Sequence, residues 1–172
     1  MDCLEFRQMI SNEIREVLQK VVASLNKYQV EYLIVGGVAV SFYGYQRISG
    51  TSESLPEMKT DLDFWYKPTN ENFLNLVKAL KEMGIETASL DQIVFDPKKT
   101  FLKIPHKTFH TDFLPEMLGL KSFKESKSKA TRHELDGNEL FIIGYNELIA
   151  NKTEVNRSID KGDVDALERK KE

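Results

Sequence analysis

Cysteine is almost missing from this chain. Cys3 stands alone, so no intramolecular disulfide can form, and the composition is that expected of a protein in a reducing, cytoplasmic compartment. Long apolar runs are missing too. None approaches the roughly 20 residues that span a bilayer, and the start, MDCLEFRQM, is acidic and then amphipathic, unlike a secretory leader. No membrane partner is expected. Nor is there a basic excess: 24 Lys and Arg stand against 27 Asp and Glu, a formal charge of −3. That balance withholds the broad positive footprint that duplex DNA selects. Internal repeats, low-complexity segments and zinc-ligand spacings are all lacking; His106 and His133 have no ligand pattern around them.

What remains is a chain of 172 residues, long enough to bury a core of its own. Apolar residues recur near the helical period from Leu4 to Tyr28, predicting a long amphipathic helix. Residues 1–28 are thus read as an N-terminal helix packing on a domain made by residues 29–172. Tyr32 to Val35 reads as a short strand, broken by Gly36-Gly37, with a helix over Val38 to Tyr43. Gln46 to Lys59 has Ser, Thr, Gly and Pro without periodicity and reads as a surface loop. Further strands are predicted at Asp61–Tyr66, Ile93–Phe95, Phe101–Ile104, Phe109–Leu114 and Glu139–Ile143. Helices are predicted at Asn70–Met83, Asn146–Val155 and from Asp163 onward. The order implies an α+β fold, a small mixed β-sheet flanked by helices at both ends of the chain.

Strand alternation is where chemistry becomes visible. In Thr60-Asp-Leu-Asp-Phe-Trp, residues two apart share a face, so Leu62, Phe64 and Tyr66 point one way while Asp61 and Asp63 project together from the other. Adjacent carboxylates repel and are costly to desolvate. A hard divalent cation offsets that cost, since Mg²⁺ takes oxygen ligands through one or two carboxylates plus substrate phosphates. In Phe109-His-Thr-Asp-Phe-Leu the same alternation sets His110 and Asp112 on one face. If the two strands are neighbours, Asp112 joins Asp61 and Asp63, and three carboxylates can serve two metals. The alternatives are an exposed edge strand carrying acids against aggregation and, for Gly36-Gly37, an ordinary tight turn. The basic run of Lys121, Lys124, Lys127, Lys129 and Arg132, with only Glu125 opposing it, reads as a solvated face or a local phosphate contact.

The succession Tyr32-Leu-Ile-Val-Gly-Gly-Val-Ala-Val, Arg47, Thr60-Asp-Leu-Asp-Phe-Trp and Asp112 resembles the nucleotidyltransferase superfamily with the polymerase-beta-like fold. It is most similar to the abortive-infection and toxin–antitoxin members. The likeness runs over roughly residues 30 to 168, through Glu147-Leu-Ile-Ala-Asn-Lys152 and Lys161-Gly-Asp-Val-Asp-Ala-Leu167.

This resemblance implies transfer of a nucleoside monophosphate from an NTP to a hydroxyl acceptor: RNA such as a tRNA 3′ end, a protein side chain or a small molecule. It implies two Mg²⁺ ions, or Mn²⁺, held by Asp61, Asp63 and Asp112. Gly36, Gly37, Arg47 and Lys152 are then expected at the nucleotide, and an antitoxin or a second copy as protein partner. Many members carry Gly-Ser where this chain has Gly36-Gly37, which leaves Ser41 as the nearest hydroxyl along the helix. The stretch Ile48–Lys59 is longer than in the family and reads as a lid or a tolerated insertion. A non-catalytic binding module and a two-metal nuclease are the competing functional readings.

Overall fold

In the first helix Ile14, Leu18, Val21, Val22 and Leu25 fall on one stripe and are all buried, as an amphipathic helix against a core requires. The computed structural model describes residues 12–44, 61–90 and 94–170. In chain order the described elements are α1 (Asn12–Lys27), β1 (Tyr32–Val35), α2 (Gly36–Phe42), β2 (Leu62–Tyr66), α3 (Asn70–Glu82), β3 (Leu102–Pro105), β4 (His110–Leu114), α4 (Phe123–Ser128), β5 (Thr131–Leu135), β6 (Asn138–Ile142), α5 (Tyr145–Val155) and α6 (Ser158–Arg169). The predicted helix before Asn12, together with Arg47 and the loop Ile48–Lys59, lies outside the described residues.

The strands form one mixed sheet in the order β3-β4-β2-β1-β6-β5. The β2–β4 and β1–β6 pairs are parallel and the other three antiparallel. The fold class is therefore α+β, with helices against a mixed sheet. On one face Leu62, Phe64 and Tyr66 are fully buried, and Phe64 stacks on Phe113 with centroids 5.2 Å apart. Helices α1 and α3 pack together, joined by the Ser24 hydroxyl donating to the Ala79 carbonyl at 2.9 Å and by Lys27–Glu82 at 2.7 Å. Among the described residues no helix is long and apolar enough to cross a membrane.

Several boundaries differ from expectation for physical reasons. Val94 and Phe95 are not in a strand. The Phe95 ring stacks on Phe73 at 4.8 Å, and the Asp96 carboxylate accepts from the Lys98 N–H at 2.9 Å, an Asx turn that competes with strand pairing. Helix α4 and strand β5 were not predicted. Apart from Leu135 the sequence of β5, Thr-Arg-His-Glu-Leu, is polar, and it lies at a sheet edge with alternating exposure. Helix α6 starts at Ser158 rather than Asp163, because the Asp160 carboxylate accepts from the Arg157 backbone N–H at 3.3 Å and closes the first turn. Trp65 belongs to a central strand, and its indole N–H donates to the Pro115 carbonyl at 3.1 Å.

Candidate functional site

Parallel pairing of β2 with β4 sets Asp63 opposite Asp112 in register, so both carboxylates leave the same face of neighbouring strands. Val35 pairs with Asp63 on the other side, which brings the β1–α2 turn beside the acid. The turn residue is Gly36, with φ 62, a left-handed conformation that a side chain resists. A Cβ at Gly36 would stand 1.9 Å from Asp63 Oδ2. Backbone conformation and space both require glycine there, and the missing side chain is what lets the Asp63 carboxylate occupy the turn.

Electrostatics separates the three acids. Asp61 Oδ1 accepts from the His110 backbone N–H at 2.7 Å, with the His110 ring nitrogen 3.5 Å away. It is thus engaged at the start of β4. Asp112 has Lys103 at 3.8 Å from Oδ2, while its Oδ1 is buried without a hydrogen-bond partner. Burial pushes the Asp112 carboxyl above the usual range, Lys103 opposes that shift, and the charge of Asp61 adds to it. Buried carboxylate oxygens are ordinarily satisfied, so an orphan on a strand facing a second aspartate is a donor suited to a hard cation. Among the described residues no three His, Cys, Asp or Glu side chains are gathered closely enough to hold a metal ion as they stand. Asp61 is engaged with His110, and Asp63 and Asp112 are the pair that face each other in register. One or two protein carboxylates plus phosphates suffice for Mg²⁺.

These groups lie in a cleft of about 650 Å³, bounded by Gly36, Gly37, Asp61, Asp63 and Asp112 at one end and by α5 and α6 across from them. That volume is within the range of small-molecule sites. Lys152, expected at the nucleotide, lines the cleft, but its side chain is only 3% exposed. Its ammonium lies 3.1 Å from Asp160 and 2.6 Å from Asp163. Ser41 is buried, and its hydroxyl donates to the Gly37 carbonyl at 3.1 Å, turned into its own helix and away from the cleft.

Arg157 is a cleft residue that the sequence did not single out. Its Nε donates to Asp160 Oδ2 at 2.6 Å and its Nη2 to Oδ1 at 3.2 Å, yet its side chain is 68% exposed. The negative charge of Asp63 contributes to its environment. Burial alone would raise the Asp160 carboxyl, but the hydrogen bonds from Arg157 and Lys152 outweigh it and hold the pKa at about 2. The signal was present as Arg157 and Asp160 three residues apart at a helix start, which is also the pattern of an ordinary i,i+3 ion pair.

The basic run does not border the cleft. Lys129 pairs with Glu125 and Glu147 and Arg132 with Glu139. Lys127 donates to the Tyr32 carbonyl at 3.1 Å and lies 3.1 Å over the Phe141 ring, where burial lowers its pKa to about 8. Compared with protein-family models and with curated proteins, the chain gives no match.

Proposed function

We propose that the protein transfers a nucleoside monophosphate from an NTP to a hydroxyl acceptor, with Mg²⁺ or Mn²⁺ as cofactor, in the cytoplasm. One observation carries this reading. Asp63 and Asp112 face each other across adjacent strands at the floor of a cleft, beside a glycine that makes room for the acid, and one buried Asp112 oxygen has no partner. Asp63 and Asp112 would hold the ion, with Asp61 as third donor for a second. Divalent cations bound there supply charge neutralisation at the triphosphate and lower the pKa of an attacking hydroxyl.

The chain's own residues would do the remainder. Gly36 makes room for the Asp63 carboxylate at the β1–α2 turn, which seats the acid where the triphosphate and its ion would meet it. Arg157 is fixed through Asp160 and keeps N–H groups for a phosphate oxygen, a fork suited to that geometry. Lys103, across the strand from Asp112, tempers the repulsion among the acids when no substrate is bound. An RNA, protein or small-molecule hydroxyl is the acceptor class.

A second reading, a nucleotide-binding module without transfer, is favoured by the commitment of Ser41 and Lys152 to partners inside the protein. Calorimetry with each NTP and Mg²⁺, on wild type and on Asp61→Asn/Asp63→Asn, followed by release of labelled pyrophosphate in the presence of acceptors, separates the readings. Metal-dependent binding lost in the variant, with pyrophosphate release by wild type, is expected. Binding without release across acceptors favours the module, and no binding of any NTP by wild type removes both.

A further inference from the structure

We infer that Phe101, at the mouth of the same cleft, is the platform on which the nucleobase of the substrate stacks. This rests on reading the acidic end of the cleft as the seat of the triphosphate. Among the described residues the other phenylalanine rings are paired. Phe42, Phe64, Phe73, Phe95, Phe109, Phe113, Phe123 and Phe141 each pack against another aromatic ring. Among the described residues Phe101 is the exception, with no ring contact and 45% of its surface exposed. Four large apolar residues are exposed among those described, and two of them, Phe101 and Leu118, line this one cleft, with Met117 and Leu114 beside them.

Position fits a nucleotide. Lys103 pairs with Asp112 and Leu102 with Phe113, and Phe101, which immediately precedes β3, lines the same cleft as Lys103 and Asp112. Two residues of chain span at most about 7 Å, a reach comparable to the ribose that separates a base from its α-phosphate. The ligand such a cleft fits is anionic and metal-bound at one end and flat and apolar at the other. Asn151, which donates to the Leu118 carbonyl at 2.9 Å, ties the opposite wall to α5 and fixes the width of the slot.

The test compares Mg²⁺-dependent calorimetric titration of each NTP with that of inorganic tripolyphosphate, on wild type, Phe101→Ala and Phe101→Tyr, with thermal melts to establish that each variant is folded. Wild type is expected to bind NTP more tightly than tripolyphosphate. Phe101→Ala should lose about tenfold or more in NTP affinity, with a change of less than about twofold for tripolyphosphate, and Phe101→Tyr should restore NTP affinity. Equal losses for both ligands, or an unchanged NTP affinity in Phe101→Ala, overturns the stacking role and leaves the triphosphate site standing. An unchanged NTP affinity together with slower transfer assigns the apolar end to the acceptor instead. Failure of wild type to bind either ligand overturns this inference and the functional reading beneath it.

Discussion

Two aspartate pairs meet the cleft region from opposite sides, and they are built in opposite ways. Asp160 and Asp163, on α6, are 1% and 2% exposed and share the buried Lys152 ammonium, with Arg157 adding two guanidinium hydrogen bonds and one backbone hydrogen bond to Asp160. Asp63 and Asp112, on the sheet, face each other in register with a half-exposed lysine 3.8 Å from one of them and a buried oxygen left without a partner. Charge is cancelled inside the protein at one wall, whereas at the other a buried Asp112 oxygen has no hydrogen-bond partner. On the function proposed above, the first wall holds the helices together and the second receives the ion.

That contrast can be broken at either end. The largest effect is expected from Lys152→Met, which removes the cation shared by two buried carboxylates: breaking a buried pair on one side costs about 3–5 kcal/mol, read as a shift in the urea midpoint. At the other wall Asp112→Asn is expected to leave stability unchanged or raise it, since it removes a charge that burial disfavours. The same substitution should weaken Mg²⁺-dependent nucleotide binding roughly a hundredfold or more, beyond the loss typical of a group that only supports a metal ligand, as measured by calorimetry.

The sign of pH dependence sharpens the comparison further. Asp160 has a folded-state pKa of about 2 against 3.8 when free, so its contribution is present above about pH 4 and is lost as pH falls toward 2. Roughly 2 kcal/mol should disappear across that window, and Asp160→Asn should flatten that part of the stability profile. Gly36→Ala is the smallest of the destabilising changes. The left-handed conformation costs a side chain about 1–2 kcal/mol, and the new Cβ must displace the Asp63 carboxylate, so nucleotide affinity is expected to fall with it.

How much of this was legible in the sequence follows from the strength of each periodic signal. The strands that carry the acids alternate between large apolar residues and polar ones, so the shared face of Asp61 and Asp63, and the position of Asp112, could be read directly. The order β1, Gly-Gly, α2 was legible because a paired glycine interrupts an apolar strand. Pairing of β2 with β4 is a long-range event that no local pattern contains, and only the fold makes Asp63 and Asp112 neighbours. Strand β5 was hidden because an edge strand needs little apolar surface. The burial of Lys152 was hidden because lysine usually lies on the surface, and its two partners come from the next helix. Arg157 escaped because a guanidinium paired with a helix-start aspartate on the surface and one lining a cleft look alike in sequence.

The most direct test of the contrast between the two walls is Mn²⁺ binding, followed by electron paramagnetic resonance with NTP present, on wild type, Asp112→Asn and Asp163→Asn. Binding by wild type and folded Asp163→Asn, and its loss in Asp112→Asn, is the predicted result. Undiminished Mn²⁺ binding by Asp112→Asn would contradict the assignment of the sheet acids as the ion-holding pair.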